Sequence, residues 1–188
     1  MKLYLIRHGQ TDWNVAGRIQ GSHDSELNEN GISQAEALGA KLLDSGLKFS
    51  KIYSSTQKRA FKTAEIISGI TKKPLEAVKG LEEISLGAWE GLTWEEVIQK
   101  YSAEYKRWRQ DLRYTKAPEG ESYQEMLERV LAALRRIIET NSEDAAVVTH
   151  GAVIMCLRCY ITNTPFEKMR EFQAKNTSVL EISSELLG

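Results

Sequence analysis

Two apolar segments of the chain end in the same short motif, and this repetition limits the fold more than any other feature. The run KLYLI at Lys2–Ile6 is followed by RHG, and the run AAVV at Ala145–Val148 is followed by THG. Each run has the length and composition of a buried strand. The carboxyl ends of parallel strands share one edge of a sheet, where open α/β proteins bind ligands. We therefore expect His8 and His150 to lie side by side at that edge.

Helical patterns alternate with the strand-like segments in the first half of the chain. Apolar residues recur every three to four positions after Gly31, and the pattern stops at Gly46. A short strand is predicted at Lys51–Ser54. A second helix follows it, with Ser55 or Thr56 as the expected cap.

The second half of the chain continues this alternation. A short strand is predicted at Leu75–Val78, a helix over Thr93–Trp108, and a last strand at Ser178–Ile182. Ser122 and Glu125 form the spacing of a capping box and indicate the start of a further helix. Strands that alternate with helices predict an α/β fold with a largely parallel sheet.

A polar stretch over residues 86–121 interrupts the alternation and is interpreted as an insertion that covers one end of the sheet. It carries a basic cluster whose simplest interpretation is a solvated helix face with Trp108 packed inward. If the cluster instead faces the pocket, it favours a substrate with additional negative charge. The cluster consists of Lys106, Arg107, Arg109, Arg113 and Lys116.

Composition excludes several classes of protein. The chain has 188 residues and a formal net charge of −1, which fits one domain and provides no overall basic field for nucleic acid. No segment has the length of a membrane span. Cys156 and Cys159 lie in an apolar run, so buried thiols in a reducing cytoplasm are expected, and no zinc spacing is present. No metal and no cofactor are predicted.

Two arginines near the predicted histidine pair indicate the ligand. Arg7 precedes His8 directly, and Arg59 falls in the first turn of the helix after the second strand. Guanidinium groups match phosphate oxygens in a bidentate manner. A helix that starts near Gly151 would add N-terminal amides at the same place. The chain has neither a Walker lysine loop nor a GxGxxG motif, so a phosphate pocket is predicted rather than a nucleotide cradle.

The segment LIRHGQTDWN at Leu5–Asn14 resembles the RHGxTxxN signature of the histidine phosphatase superfamily, also called the phosphoglycerate mutase-like family. The resemblance extends over nearly the whole chain in GRIQG, LNENGISQA, SSTQKRAFKTA, LEEISLGAWEG, PEGES and VVTHGA. It implies a single histidine phosphatase domain over residues 1–188. The implied fold is a three-layer α/β sandwich whose mostly parallel central sheet is flanked by helices, with a helical insertion over the active site.

The resemblance also implies roles for individual residues. His8 corresponds to the nucleophile that takes the phosphoryl group, and Glu83 to the general acid. Positive charge from Arg7, Arg59 and His150 would clamp the phosphate and assist catalysis. The further substrate-binding or phosphate-binding residues are Asn14, Gln20, Gly21 and Gly151.

Several alternatives remain open at this point. Glu82 and Glu90 compete with Glu83 for the acid role, and His23 could line the substrate entrance. The family includes hydrolases and mutases; the short chain and the segment GAWEGLTWEE, where mutases carry an ERHYG-type segment, favour a phosphatase. A phospho-ligand-binding protein without turnover and a protein phosphatase are the other interpretations. A small phosphomonoester is the expected partner, without nucleic acid or membrane, for a monomer or homodimer.

Overall fold

A five-stranded sheet organises the computed structural model, which describes residues 1–187. The strand order is β3-β2-β4-β1-β5. The first four strands are parallel, and β5 runs antiparallel to β1 at the edge. The predicted α/β fold with a mostly parallel sheet is thus confirmed. The strands are β1 Lys2–Arg7, β2 Lys51–Ser54, β3 Leu75–Ala77, β4 Ala145–Thr149 and β5 Val179–Ser183.

Helices connect the strands and cover both faces of the sheet. Among residues 1–187, no helix combines the length and the hydropathy that a membrane crossing would need. Short 3₁₀ helices lie at Gly87–Trp89, Phe166–Phe172 and Ser184–Leu187. The α-helices are α1 Asp12–Val15, α2 Glu29–Asp44, α3 Lys58–Thr71, α4 Trp94–Lys100, α5 Ser102–Gln110, α6 Tyr123–Glu139 and α7 Gly151–Ile161.

The two faces of the sheet bury separate apolar clusters, which produces three layers. Tyr4 and Ile6 of β1 belong to one cluster, with side chains from α2 and α3. Leu3 and Leu5 point the other way and pack with α6 and α7. Each fully buried side chain of this kind contributes about 1.5–3 kcal/mol to folding. Both clusters therefore hold β1 rigidly up to Arg7.

The insertion belongs to the larger of these clusters. Trp89, Val97 and Trp108 are buried together with the side chains of α6 and α7. The rings of Trp89 and Trp108 meet edge to face, with 5.4 Å between their centroids. The single helix predicted over Thr93–Trp108 is wrong, because Tyr101 leaves the helical conformation at φ −128° and ψ 40°. There its ring packs 6.4 Å from that of Trp89, so tertiary packing overrides local helix propensity.

Helix caps provide a second contrast between prediction and structure. The capping box of Ser122 and Glu125 is present at the start of α6. The cap predicted at Ser55 or Thr56 is wrong, because α3 begins at Lys58 after Gln57, whose side chain makes no cap bond. The two hydroxyls are used elsewhere: Ser55 Oγ lies 2.8 Å from His150 Nε2, and Thr56 donates to a carboxylate.

Candidate active site

The pairing of β1 with β4 brings the two histidines together. Arg7 is aligned with Thr149 in the parallel register, and the backbone N–H of His8 donates to the Thr149 carbonyl at 3.0 Å. The next residue on each strand is a histidine. The rings of His8 and His150 have centroids 5.2 Å apart, and both side chains are almost completely buried. The juxtaposition expected from the two His-Gly motifs is therefore observed.

The ring of His8 is held in one tautomer. Its Nδ1 lies 2.7 Å from the carbonyl oxygen of Gly9, and a carbonyl can only accept, so Nδ1 carries the hydrogen. Nε2 is then unprotonated, and it has no hydrogen-bond partner within the part of the chain that the structure describes. Glycine is needed at position 9, because a Cβ there would collide with the backbone of Gly31.

Burial and neighbouring cations keep both histidines neutral. Burial, then Arg59, then Arg7 hold the pKa of His8 well below its usual range. Burial, Arg59 and His8 do the same to the pKa of His150. The expectation that His150 supplies positive charge is therefore wrong for the ligand-free protein. Its contribution there is a neutral imidazole that can donate or accept.

The two arginines are fixed by backbone carbonyls. Arg7 donates from Nη1 to the carbonyl of Ala174 at 2.6 Å. Arg59 donates to the carbonyls of His23 at 2.7 Å and Gly21 at 2.9 Å. Burial lowers the pKa of both guanidinium groups, but from so high a value that both remain cationic at neutral pH.

Three buried nitrogens of this site lack partners. They are Arg7 Nε, Arg59 Nε and His150 Nδ1, whose ring is held at Nε2 by Ser55. A buried donor without an acceptor costs about 1–3 kcal/mol. Arg7 also lines the cavity that opens onto His8, so an oxyanion bound there can accept from its Nε, while Arg59 acts at the site by its charge. A Cβ built on Gly151 would lie 3.3 Å from Arg7 Nε, so glycine there lets the start of α7 approach this nitrogen.

A cavity of about 220 Å³ opens onto His8. It reaches most of the predicted site residues, whereas Arg59 and His150 are fully buried and do not line it. The predicted site residues that line the cavity are Arg7, His8, Asn14, Gln20, Gly21, Glu83 and Gly151.

The two predicted amides are oriented by their oxygens. Oδ1 of Asn14 accepts from the Thr11 backbone N–H at 3.1 Å and from Asn176 Nδ2 at 3.3 Å. Oε1 of Gln20 accepts from the hydroxyls of Thr11 at 2.9 Å and Ser25 at 2.5 Å. Each side chain is left with its NH₂ group as the donor in the cavity. Donors of this kind suit an anionic ligand.

Glu83 is the acidic residue that lines the cavity. Its Oε1 accepts from the backbone N–H of Ile84 at 3.1 Å, and its Oε2 from that of Ala152 at 3.2 Å. Ala152 belongs to the first turn of α7. The expectation that the helix amides face the anion directly is therefore corrected for Ala152, whose N–H holds the carboxylate of Glu83 instead.

The competing carboxylates have other partners. Glu82 accepts from Thr56 Oγ1 at 2.6 Å and does not line the cavity. Glu90 accepts from the backbone N–H groups of Ser22 at 2.9 Å and Leu86 at 3.0 Å. It thus ties the loop before α2 to the insertion. Neither carboxylate lines the cavity, which leaves Glu83 as the favoured candidate acid.

Gln57 is a connecting residue that sequence reasoning missed. Its Nε2 donates to the Gly21 carbonyl at 3.0 Å, and its Oε1 accepts from the Glu83 backbone N–H at 2.8 Å. Arg59 Nη2 also lies 3.4 Å from Oε1. One buried amide thus joins the arginine, the loop and the acidic residue. The only signal in the sequence was its place two residues before Arg59.

The segment before β5 also contributes residues that were not predicted. Asn176 Nδ2 donates to the His8 carbonyl at 2.9 Å, and Gln173 and Ala174 line the cavity. Arg18 lines its mouth and donates to the Gly91 carbonyl. These residues come from distant parts of the chain, and no spacing rule relates them to the His-Gly motifs.

The third histidine and the two cysteines lie outside this cavity. His23 is exposed, and its ring stacks on Trp13 with 4.2 Å between ring centroids, so its side chain does not line the cavity although its carbonyl holds Arg59. Cys156 and Cys159 are buried free thiols. Within residues 1–187, no group of three or more His, Cys, Asp or Glu side chains is arranged to hold a metal ion.

The fold and this site define a class of α/β proteins with two buried histidines, one buried arginine and one partly buried arginine at the carboxyl edge of the sheet. The chain belongs to the histidine phosphatase superfamily (branch 1), whose sequence profile matches residues 3–185. The family resemblance drawn from the motifs is therefore confirmed.

Individual relatives support this membership. The chain is 33% identical over 186 residues to 6-phosphofructo-2-kinase/fructose-2,6-bisphosphatase 3 of Rattus norvegicus. The aligned region is 99% of this chain but 32% of that protein. It thus spans about a third of the length of that relative. It is 30% identical to putative phosphoserine phosphatase 2 of Hydrogenobacter thermophilus, covering 98% and 90% of the two chains. The solved structure of Bacillus stearothermophilus YhfR superposes with a TM-score of 0.86 at 34% identity, covering 97% and 90% of the two chains.

Proposed function

We propose that this chain is a metal-independent phosphomonoesterase that acts on a small phosphorylated metabolite through a phosphohistidine at His8. One observation carries the proposal. The free Nε2 of a neutral, tautomer-fixed His8 opens onto a cavity beside three unpartnered buried nitrogens. A nucleophile and a set of donors for oxyanions are what transfer of a phosphoryl group requires.

In the first step, Nε2 of His8 attacks phosphorus, and the bond from phosphorus to the ester oxygen breaks. Arg7 and Arg59 offset the negative charge on the equatorial oxygens, and His150 donates from Nδ1. Removing one such donor from a preorganised site typically costs about 3–4 kcal/mol of transition-state stabilisation. Because Arg7 and Arg59 also keep His8 neutral, the same charges prepare the nucleophile.

Glu83 manages the protons of both steps. A proton delivered by the monoanionic substrate phosphate passes through the Glu83 carboxyl to the leaving alkoxide. In the second step the resulting carboxylate takes a proton from water, whose oxygen attacks phosphorus while the bond to His8 Nε2 breaks. Alcohol and inorganic phosphate are the products. General acid–base catalysis of this kind contributes about 10²- to 10⁴-fold to the rate.

The names of two relatives favour hydrolysis over isomerisation. One is named as a putative phosphoserine phosphatase, and the name of the other includes a fructose-2,6-bisphosphatase. In both, the implied acceptor of the phosphoryl group is water. A mutase would need to retain a second hydroxyl of the substrate against the phosphohistidine.

The test is phosphate release from a panel of phosphomonoesters by the purified, EDTA-treated protein. Interconversion of 2- and 3-phosphoglycerate is assayed in parallel, and His8→Ala serves as the control. We expect release that survives EDTA and is lost in His8→Ala. Isomerisation without release would replace the proposal by a mutase, and release that needs a metal or persists without His8 would refute it.

A further inference from the structure

A second cavity adjoins the one that contains His8. Its volume is about 420 Å³, and the two cavities share Trp94, Tyr123, Met155 and Gln173 in their linings. A substrate whose phosphate lies against His8 can therefore extend its other end into this space. None of the residues to which the proposed reaction assigns a role lines the second cavity.

Two cations line the second cavity without any carboxylate. Arg109 comes from α5 and Arg170 from the 3₁₀ helix at Phe166–Phe172. Neither guanidinium group makes a hydrogen bond or an ion pair with another of residues 1–187. Other arginines nearby are occupied. Arg113 donates to Gln124 at 2.8 Å, for example. A pair of unpartnered guanidinium groups facing one cavity is suited to an anion.

Both guanidinium groups affect the same residue of the cavity wall, Tyr123. Burial raises the pKa of the Tyr123 hydroxyl, while Arg170 and Arg109 each act to lower it. Because these arginines lie on different elements, their common effect indicates that both approach Tyr123. Of the five residues in the basic cluster of the insertion, Arg109 is the one that lines either of the two cavities.

The remaining wall is apolar and aromatic. Trp94 and Trp108 stack with 5.5 Å between ring centroids and an interplanar angle of 24°. Leu112, Met155 and Met169 complete the apolar lining. Such walls accept the carbon skeleton of a compact substrate. The half-buried Arg109 and the exposed Arg170 are the charged residues of this lining.

We propose that this second cavity binds the far end of the substrate and selects phosphomonoesters that carry a second oxyanion, a carboxylate or another phosphate, through Arg109 and Arg170. The inference rests on the proposed phosphatase function and specifies its substrate class. Neutral alcohol phosphates would leave both cations without a counter-charge, so they are the weaker substrates.

Matched substrate pairs provide the test. The carboxylate arm compares 3-phosphoglycerate with glycerol 3-phosphate, and the phosphate arm compares fructose 1,6-bisphosphate with fructose 1-phosphate. We expect a preference in kcat/KM of about 10-fold or more for the doubly anionic member of at least one pair. The arm with the larger preference identifies the second oxyanion.

Variants assign the preference to the two arginines. Arg109→Gln and Arg170→Gln should each reduce the ratio within the preferred pair by about 10-fold, and Arg109→Lys should retain part of it. Arg107→Gln is the matched control, since it removes an exposed cation of α5 that lies outside the cavity lining. It should change the ratio less than about 2-fold.

A binding measurement separates this inference from the proposed function. In His8→Ala, calorimetry of the same pairs reports affinity without turnover. Equal affinity within both pairs, or a preference that survives both glutamine variants, would overturn the second-oxyanion site. If no phosphomonoester is hydrolysed by the unmodified protein, the proposed function fails, while the calorimetric ratio still decides the site.

Discussion

The two ends of the elongated pocket are built in different ways. Around His8 the polar side chains are buried or partly buried, and backbone carbonyls fix His8, Arg7 and Arg59 in place. Around Arg109 and Arg170 the walls are aromatic rings and thioethers, and the cations have no partner among residues 1–187. The contrast indicates that the phosphate end is preorganised for one reaction, whereas the other end determines which substrates bind.

The origin of the residues explains this contrast. The phosphate end comes from the ends of β1 and β4 and from the first turn of α3, which the sheet register holds together. The other end comes from the insertion, from α6 and α7, and from the segment before β5. Residues placed by loops and insertions can change without disturbing the sheet, which is why scaffold and specificity are commonly divided in this way.

Glu83 lines the cavity at the phosphate end but not the second cavity, and its substitution should have the largest effect. Glu83→Gln should lower kcat for alkyl phosphates by about 10²- to 10³-fold, because it removes the proton for the leaving alkoxide. p-Nitrophenyl phosphate should be affected far less, since its leaving group needs little protonation. Steady-state kinetics on both substrates check this.

Glu82→Gln is the matched control for that experiment, because it changes the neighbouring carboxylate that lies outside the cavity lining. It should leave the ratio of the two substrates unaltered. Equal slowing of both substrates by Glu83→Gln would mean that Glu83 acts in hydrolysis of the phosphohistidine, a step that both substrates share, rather than on the leaving group.

Gln57 joins three segments of the phosphate end through one amide, and its loss should have a smaller effect. In Gln57→Leu the Glu83 backbone N–H and the Gly21 carbonyl lose their shared partner. We expect a decrease of about 10-fold in kcat for alkyl phosphates, as for one misplaced catalytic group. A purely structural role would slow p-nitrophenyl phosphate hydrolysis equally, so the ratio between the substrates distinguishes the two cases.

The buried phosphate end should also make stability depend on pH. Since the pKa of His8 is lowered in the folded state, the unfolded chain binds more protons below the usual histidine pKa of about 6.5, and stability falls as the pH falls. Between about pH 7.5 and about pH 5.5, one such histidine changes the free energy of unfolding by about 1.4 kcal/mol. Urea unfolding of wild type and His8→Gln at both pH values measures this term.

The difference between the two pH values should shrink by that amount in His8→Gln. His150→Gln should remove a similar term, because burial and Arg59 lower the pKa of His150 as well. An unchanged difference in His8→Gln would contradict the interpretation that His8 is held neutral by burial and by its arginine neighbours.

The sequence was sufficient to bring the two histidines and Arg59 together at the phosphate end, because their positions follow from the sheet register. Two strands that end in His-Gly, once paired in parallel, can bring their histidines to one place only, and Arg59 follows from the first turn of α3. The sequence did not locate Asn176 or Gln57, since each acts through a contact between distant segments. Their residue types are common in loops and carry no periodic signal.

Predictions from local helix-capping and helix-propensity rules failed where the residue concerned makes a tertiary contact instead. The hydroxyls of Ser55 and Thr56 were reasonable helix caps, but they bind His150 and Glu82. The helix expected through Tyr101 breaks where its ring packs on Trp89. Likewise, residue spacing did not show that Arg109 lines a cavity while the other members of the basic cluster do not.

The most direct test of the central claim is to trap the phosphorylated enzyme. The protein is mixed with a fast substrate, quenched in alkali within the first turnover, and digested for mass spectrometry. We predict a phosphate adduct on the peptide that contains His8, stable in alkali, lost in acid and absent from His8→Ala. A protein that turns over substrate rapidly but carries no adduct, or carries it on another residue, would contradict the account.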